Sequence, residues 1–453
     1  MTRKLFGTDG VRGTANAFPV TVDNALILGR TVVRCFQRTS PIREGKHRIV
    51  VGKDTRLSSY MLEAAMAAGI CSAGADAILL GPLPTPGISF ITRSMRADAG
   101  VVISASHNPY FDNGIKFFTK DGMKLTDEAE LEIETAFHKD TVDSLPTGKG
   151  AGKIYRVNDA QGRYVEFLKA SFPRDLTLDG MQISLDCANG AAYLVAPTIF
   201  SELGAALKVY AKTPNGENIN DNCGALHPEN VAGKVVADSA DIGISLDGDG
   251  DRVILVDEKG EIVDGDRIIG AAALYLKEQG KLVNDRVVTT IMTNVGLELY
   301  LKDKGIAMSR TGVGDRYVSE EMQRTGAIVG GENSGHIIFS EFNPTGDGIL
   351  TALQILAIMQ RSGRKLSELV AGIPLFPQVM KKLTVAQKIP LKDLPKTTKA
   401  IADGEKAIGR GRVVVRYSGT EPVLRVMAEG EDESKCAAVV AAIMDTAKKE
   451  LGT

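Results

Sequence analysis

Short apolar runs rich in valine and isoleucine alternate with longer stretches in which apolar side chains recur every three or four positions. The runs HRIVVG (47–52), DAILLG (76–81), GVVIS (100–104), QISLD (182–186), DIGISL (241–246) and RVVTTI (286–291) predict strands. SSYMLEAAMAAGICSAG (58–74) predicts a helix, and GDGILTALQILAIMQRSG (346–363) another. In the second, Ile349, Leu353 and Leu356 share one face, Asp347 is placed to cap the start, and Gly363 suits the stop. The alternation runs through roughly the first 370 residues and predicts α/β layers.

Three breaks interrupt it. SLPTGKGAGK (144–153) is rich in Gly, Pro and Lys and reads as a linker, whereas DEKGEIVDGD (257–266) reads as a hairpin about Lys259-Gly260. IPLFPQ (373–378) precedes a piece of different style, in which VMKKLTV and GRVVVRYSG…PVLRVMAEG give strand signals that bracket one helix and precede another at 434–451. The expected architecture is three mixed α/β domains (1–153, 154–257 and 258–374) around a central cleft, followed by a small C-terminal α+β domain (375–453).

The composition is that of a globular protein: 453 residues, 43% hydrophobic, 24% charged, formal net charge −2. No basic excess favours nucleic acid, and no apolar run approaches a membrane span. The opening MTRKLFGTDG lacks the apolar core of a signal peptide. Five scattered cysteines (Cys35, Cys71, Cys187, Cys223 and Cys436) form no CxxC pair, which argues against a disulfide framework or a zinc site. A reducing cytoplasm is the expected location.

Four loops carry candidate chemistry. In SASHNPYFDNG (104–114) a strand ends in a polar, tightly turning loop with Ser106 beside His107. A hydrolase nucleophile with its base is one reading. Adjacent residues rarely share that geometry, however, so His107 is expected to orient the loop or touch a phosphate, and Ser104 to be structural. Asp112-Asn113-Gly114 reads as a turn that brings Lys116 back toward the loop.

In LDGDGDRVIL (246–255), Asp247, Asp249 and Asp251 alternate with glycines and can converge on one hard cation. An EF-hand is excluded by Arg252, where that loop needs glycine, and by strand-like flanks. A site with few protein ligands suits Mg²⁺ kept for phosphate chemistry. The plain alternative is a solvated acidic turn, in which three close carboxylates would repel one another.

GGENSGHIIF (330–339) places Glu332 and Ser334 to hydrogen-bond vicinal hydroxyls of a sugar, or else is a hairpin with incidental polar residues. RYSGTEPVLR (416–425) brackets Ser418, Gly419 and Thr420 with Arg416 and Arg425, a pattern for bidentate phosphate binding. Its bland reading is a hairpin with two surface arginines. In VGKDTRLSS (51–59), Lys53 and Arg56 precede a helix start at Ser58, which suits either an anion or simple capping. TGKGAGKI (147–154) fails as a P-loop, and neither GxSxG nor HExxH occurs.

A serine, a cation loop, a polyol loop and an anion loop in four different domains suit phosphoryl transfer on a substrate that already carries phosphate. SASHNP, DGDGDR, GENSGH and RYSGTEPVLR, in that order, resemble the four signature loops of the α-D-phosphohexomutases. KLFGTDGVRG, ISASHNPYFDNGIKFF, NINDNCGALHPENV (218–231), VGDRYV (313–318) and TGDGILTALQ (345–354) resemble the bacterial phosphoglucosamine mutase branch. Ala225 stands where that branch carries serine.

The resemblance implies interconversion of glucosamine 6-phosphate and glucosamine 1-phosphate through a phosphoserine at Ser106 and glucosamine 1,6-bisphosphate, serving UDP-N-acetylglucosamine and cell-wall synthesis. It implies Mg²⁺ on Ser106, Asp247, Asp249 and Asp251. Sugar contacts fall to Glu332 and Ser334, and phosphate contacts to Arg416, Ser418, Gly419, Thr420 and Arg425. Arg12 and Lys116 lie near the transferring group, with Lys116 or His336 as general acid/base. The implied partners are a phosphosugar and a second copy of the chain, without nucleic acid or membrane. The competing readings are a phosphomannomutase/phosphoglucomutase, a metal-dependent sugar phosphatase and a sugar-phosphate binding protein.

Overall fold

The computed structural model describes residues 5–7, 9–39, 45–140, 145–418 and 422–451, without the side chains of residues 38 and 39. The strand runs read from the sequence form four sheets. The first has six strands in the order Val11–Thr14, Asp112–Thr119, Ala99–Ile103, Arg48–Lys53, Asp76–Pro82, Ile154–Arg156. Its middle strands are parallel, and Asp112–Thr119 returns antiparallel to Ala99–Ile103. Ile49, Val51, Val101 and Ile103 are buried in the main core, because helices cover both faces of a parallel sheet. The helices Val22–Thr39 and Leu57–Ser72 cross closely at Gly29 and Gly69. A Cβ on Gly69 would lie 2.1 Å from the Leu26 carbonyl oxygen, so only glycine fits.

The second sheet runs Ile262–Val263, Val253–Asp257, Ile242–Leu246, Gln182–Asp186, Ala206–Tyr210. The third runs Ala307–Thr311, Arg286–Thr290, Val329–Gly331, Ile337–Phe339. The fourth runs Gln378–Thr384, Val423–Gly430, Gly411–Tyr417 and is wholly antiparallel, with the helices Pro395–Ile408 and Glu433–Leu451 packed on it. The described residues thus form three α/β sheets and one α+β layer. The helix Gly348–Ser362 begins at an Asp347 cap, whose side chain accepts from Leu350 N–H, and stops at left-handed Gly363.

Two segments depart from the sequence reading. The stretch read as a linker is packed at its end, where Gly152 N–H donates to the Cys71 carbonyl, and Ile154–Arg156 just after it, read as opening the second domain, joins the first sheet beside Asp76–Pro82. Three residues pairing with a distant strand carry no periodicity of their own. By contacts the chain divides into one unit of Met1–Ile291 with Ser309–Val370 and another of Met292–Met308 with Ala371–Thr453. Met292–Met308 joins the C-terminal residues through specific bonds. Val295 N–H donates to Glu429, Arg412 donates to the Thr293 carbonyl, and Asn294 donates to the Phe376 carbonyl.

Candidate active site

The strand Ala99–Ile103 ends where Ser104 N–H donates to the Gly114 carbonyl, 3.0 Å away. The turn lies in residues 105–111, closed by Asn108 N–H to Ala105 and Asp112 N–H to Pro109. Asp112-Asn113-Gly114, expected to turn, is instead the start of the return strand and pairs with Val11–Thr14, because those residues find backbone partners there. Ser106 is 1% exposed and left-handed at φ +51°, a conformation that costs an L-residue about 1–2 kcal/mol. Its N–H donates to the Ser104 hydroxyl at 2.9 Å.

The Ser106 hydroxyl donates to Asp247 Oδ2 at 2.7 Å. His107 Nδ1 lies 3.2 Å from the same oxygen, a proximity that the adjacency argument did not expect. Burial, then Arg252 and Arg12, hold the His107 imidazole down to about 4, so it is neutral at neutral pH. With the serine proton given to Asp247, His107 donates to Ser106 rather than serving as its base.

Asp247, Asp249 and Asp251 lie on the loop between the antiparallel strands Ile242–Leu246 and Val253–Asp257, all nearly fully buried. One oxygen from each falls within 4.8 Å of the others. Burial, reinforced by Asp251 and Asp249, pushes Asp247 well above the usual carboxylate range. Burial also works against the Asp249 carboxylate, but Lys116 and a Thr85 hydroxyl bond at 2.7 Å hold it below that range. The Oδ1 atoms of Asp249 and Asp251 are buried without a hydrogen-bond partner. An all-oxygen set of mutually repelling carboxylates, two of whose oxygens lack a hydrogen bond, can hold a hard cation.

Around this loop the charges alternate in a closed ring. Lys116 Nζ is 3.0 Å from Asp249 and 3.0 Å from Asp9. Lys124 bridges Asp9 at 2.6 Å and Asp315 at 2.5 Å. His336 joins Asp315 at 3.3 Å and Asp251 at 3.5 Å. Arg12 pairs with Asp9 as well. Burial disfavours every charge here, yet Asp249 and Asp9 outweigh it at Lys116, and Asp315 and Asp251 at His336, so both groups are pushed above their ordinary range. Lys116, Lys124 and Arg12 likewise outweigh burial and hold Asp9 far down.

At His336 two contacts disagree. Gly346 N–H donates to Nε2 at 3.1 Å, which needs a lone pair, whereas the nearby Asp315 favours a proton. The backbone bond is directional and the ion pair is long, so the neutral ring with its proton on Nδ1 fits the geometry.

Glu332 and Ser334 occupy the turn between Val329–Gly331 and Ile337–Phe339. Glu332 Oε1 accepts from Gly314 N–H at 3.1 Å. Arg56 does not cap its helix with its side chain, and its charge is met inside the protein. It is wholly buried, ion-paired with Asp54, and donates to backbone carbonyls of the Ser106 turn.

In the second unit, Arg416 and Arg425 are directly opposed on Gly411–Tyr417 and Val423–Gly430. Burial, then Arg425, lowers Arg416. Opposed like charges are unfavourable without an anion between them. Lys388 adds a third cation, donating to the Ser418 carbonyl at 2.7 Å, and Arg425 reaches the Ser418 hydroxyl at 3.5 Å. Gly419 and Thr420 lie outside the described residues. Lys388, Asp9, Lys124 and Asp315 escaped the sequence reading. The last three lie in the GTDG, DGMKL and VGDRYV stretches, whose meeting no local spacing reveals.

Family descriptions for phosphoglucomutase/phosphomannomutase match along the chain: α/β/α domain I at residues 3–143, domain II at 162–260, domain III at 264–376 and the C-terminal domain at 380–446. The phosphoglucosamine mutase of Syntrophotalea carbinolica is 53% identical over 454 aligned positions, covering 100% of this chain and 99% of that protein. That of Myxococcus xanthus is 53% identical, covering 99% and 98%. Among solved structures, a phosphoglucomutase/phosphomannomutase family protein from Burkholderia thailandensis superposes with a TM-score of 0.82 at 25% identity, covering 98% of this chain and 97% of that one. An Aspergillus fumigatus N-acetylphosphoglucosamine mutase, solved with GlcNAc-6P and magnesium, shares the fold with a TM-score of 0.68 at 18% identity, covering 99% and 96%.

Proposed function

The chain belongs to the phosphoglucomutase/phosphomannomutase family and has phosphoglucosamine mutase activity; we propose that it interconverts glucosamine 6-phosphate and glucosamine 1-phosphate with Ser106 as the phosphate carrier. A phosphomannomutase or phosphoglucomutase is not favoured, because relatives at 51–55% identity are phosphoglucosamine mutases. The observation that carries the serine assignment is its hydroxyl, buried and 2.7 Å from a carboxylate of the three-aspartate loop.

In the first half-reaction the free sugar hydroxyl attacks phosphorus on phosphorylated Ser106. The P–Oγ bond breaks as the new P–O bond forms, and the hydroxyl proton passes to a side chain of the protein. The product is a sugar 1,6-bisphosphate and a free serine. After reorientation of the bisphosphate, Ser106 attacks the other phosphate and regains its own, so no water is consumed. Asp247, Asp249 and Asp251, with the serine phosphate, would hold Mg²⁺. A bound divalent cation offsets the charge that gathers on the transferring phosphoryl oxygens.

His107 donates to Ser106 Oγ, and Arg12 lies where it can neutralise phosphate charge. Lys116 is favoured over His336 as the acid that protonates the departing Ser106 oxygen, because both His336 nitrogens are engaged whereas Lys116 is an ammonium with three N–H donors; once it has given up that proton it can accept the one lost by the sugar hydroxyl. Glu332 and Ser334 take sugar hydroxyls. Arg416, Ser418, Gly419, Thr420 and Arg425, joined by Lys388, take the phosphate that is not reacting.

Domain boundaries at 153, 257 and 374 remain the proposal. A homodimer, a cytoplasmic location and activation by glucosamine 1,6-bisphosphate belong to it also. No helix among the described residues is long and apolar enough to cross a membrane. The test is Ser106→Ala, which is expected to lose nearly all interconversion. Full activity in that variant would remove Ser106 from the mechanism.

A further inference from the structure

NINDNCG (218–224) has no part in the chemistry above, yet it reaches the carrier serine. Asn220 is 8% exposed. Its Nδ2 donates to the carbonyl oxygens of Ser106 at 2.9 Å and Asn108 at 3.0 Å. Two carbonyl acceptors require the amide NH₂ on that side, so the orientation of the group is fixed by chemistry. Arg56 donates to the same two oxygens, at 3.0 and 2.6 Å.

The two donors are anchored separately. Arg56 is locked by Asp54, which in turn accepts from the Ser59 hydroxyl at 2.8 Å. Asn220 is left-handed at φ +58°, and its N–H donates to the Ala188 carbonyl at 2.9 Å. Arg56 follows a strand of the first sheet; Ala188 and Asp247 follow strands of the second. The aspartate loop rests on the same spot. A Cβ at Gly248 would lie 2.6 Å from the Ser106 carbonyl and 2.7 Å from Asn220 Nδ2.

We propose that Asn220 is a positioning residue for phosphoryl transfer, tying the Ser106 turn to the sheet that carries Asp247, Asp249 and Asp251. Arg56 and Ser104 hold the turn to its own sheet; Asn220 holds its backbone to the other, whereas Asp247 on that side bonds only the turn's reacting hydroxyl. The proposal rests on Ser106 as the carrier. A serine that gives up and regains a phosphate must keep its oxygen in one place in both halves of the cycle. Sugar and distal phosphate are bound by other residues, so losing the tie slows transfer and leaves binding nearly intact.

The test is steady-state kinetics of Asn220→Ala, with the melting temperature recorded and free sugar bisphosphate measured in the medium. A displacement near 1 Å predicts a kcat about 100-fold lower with KM within about threefold. More bisphosphate should escape per turnover, because the second transfer now competes poorly with release. A merely structural role would lower the melting temperature without that escape. Asn220→Asp, isosteric but presenting oxygen to two carbonyls, should be at least as slow; if Asn220→Ala does not accumulate folded, this variant carries the same measurement. Wild-type kcat, or a defect confined to KM, overturns the proposal. Ser106→Ala assayed alongside separates the two ideas. If it is active, the carrier assignment fails; if it is inactive beside a full-speed Asn220→Ala, only the tie fails.

Discussion

Asp347 offers a quantitative test of how the core beneath the site is held. Its carboxyl is fully buried, accepts from Leu350 N–H at 3.0 Å and from the Tyr164 hydroxyl at 2.7 Å, and caps the helix Gly348–Ser362. Burial, only partly offset by these hydrogen bonds, pushes it up to about 6 from an ordinary value of 3.8. That rise corresponds to about 3 kcal/mol. Its sign follows from where the proton is held more tightly. The folded carboxyl binds its proton more firmly than the unfolded one, so the stabilisation is complete below pH 3.8 and is lost as pH rises through about 6.

Asp347→Asn removes the ionisation. Asparagine keeps an oxygen for Leu350 and caps as well as aspartate, and its amide can donate to the Tyr164 oxygen. The variant's stability relative to the parent should therefore climb by about 2 kcal/mol between pH 4 and pH 7. Urea unfolding at a series of pH values, followed by circular dichroism because the chain has no tryptophan, reads the difference directly. A flat difference, or one that falls with pH, would mean that the buried carboxylate is satisfied by its hydrogen bonds and that burial does not dominate.

Two further outcomes follow from the charge arrangement. Mg²⁺ at about 100 times its dissociation constant should stabilise the protein by about 2.7 kcal/mol, seen as a higher melting temperature that Asp249→Asn does not share, and chelation should abolish activity until Mg²⁺ is restored; an equal rise in both proteins would place the ion elsewhere. Arg425→Met removes one of two opposed arginines, so KM should rise about 10- to 100-fold for a lost charged hydrogen bond, while the free protein gains a few tenths of a kcal/mol. An unchanged KM would take the arginine pair out of substrate binding.

Local pattern carried much of this protein. The helix at 348–362 was legible because its cap, apolar face and glycine stop all lie within one stretch. The three aspartates were legible because alternating glycines are a local signal, and their flanking strands were read correctly. What escaped depends on meetings between distant segments. Ile154–Arg156, read as the start of the second domain, gives no local sign of joining the first sheet, because three exposed residues become a strand only through a partner. Asp9, Lys124 and Asp315 look like ordinary surface charges until the fold closes them into a ring. The stretch with Arg56 suited an anion or simple capping because a basic residue at a helix start usually faces solvent, whereas here Asp54 and two carbonyls bury it. His107 was expected to orient the loop or touch a phosphate because neighbours in sequence rarely share a nucleophile–base geometry, and the left-handed backbone of Ser106 accompanies the contact between the two side chains.

Transfer of label from the protein tests the phosphoserine cycle most directly. The protein is loaded with ³²P on Ser106, mixed with one equivalent of unlabelled glucosamine 6-phosphate and quenched within a single turnover. The label should leave Ser106 and appear in the sugar bisphosphate and then in the sugar monophosphate, with almost none as inorganic phosphate. Label that stays on the protein while glucosamine 1-phosphate forms, or that departs as inorganic phosphate, would show that Ser106 does not carry the group.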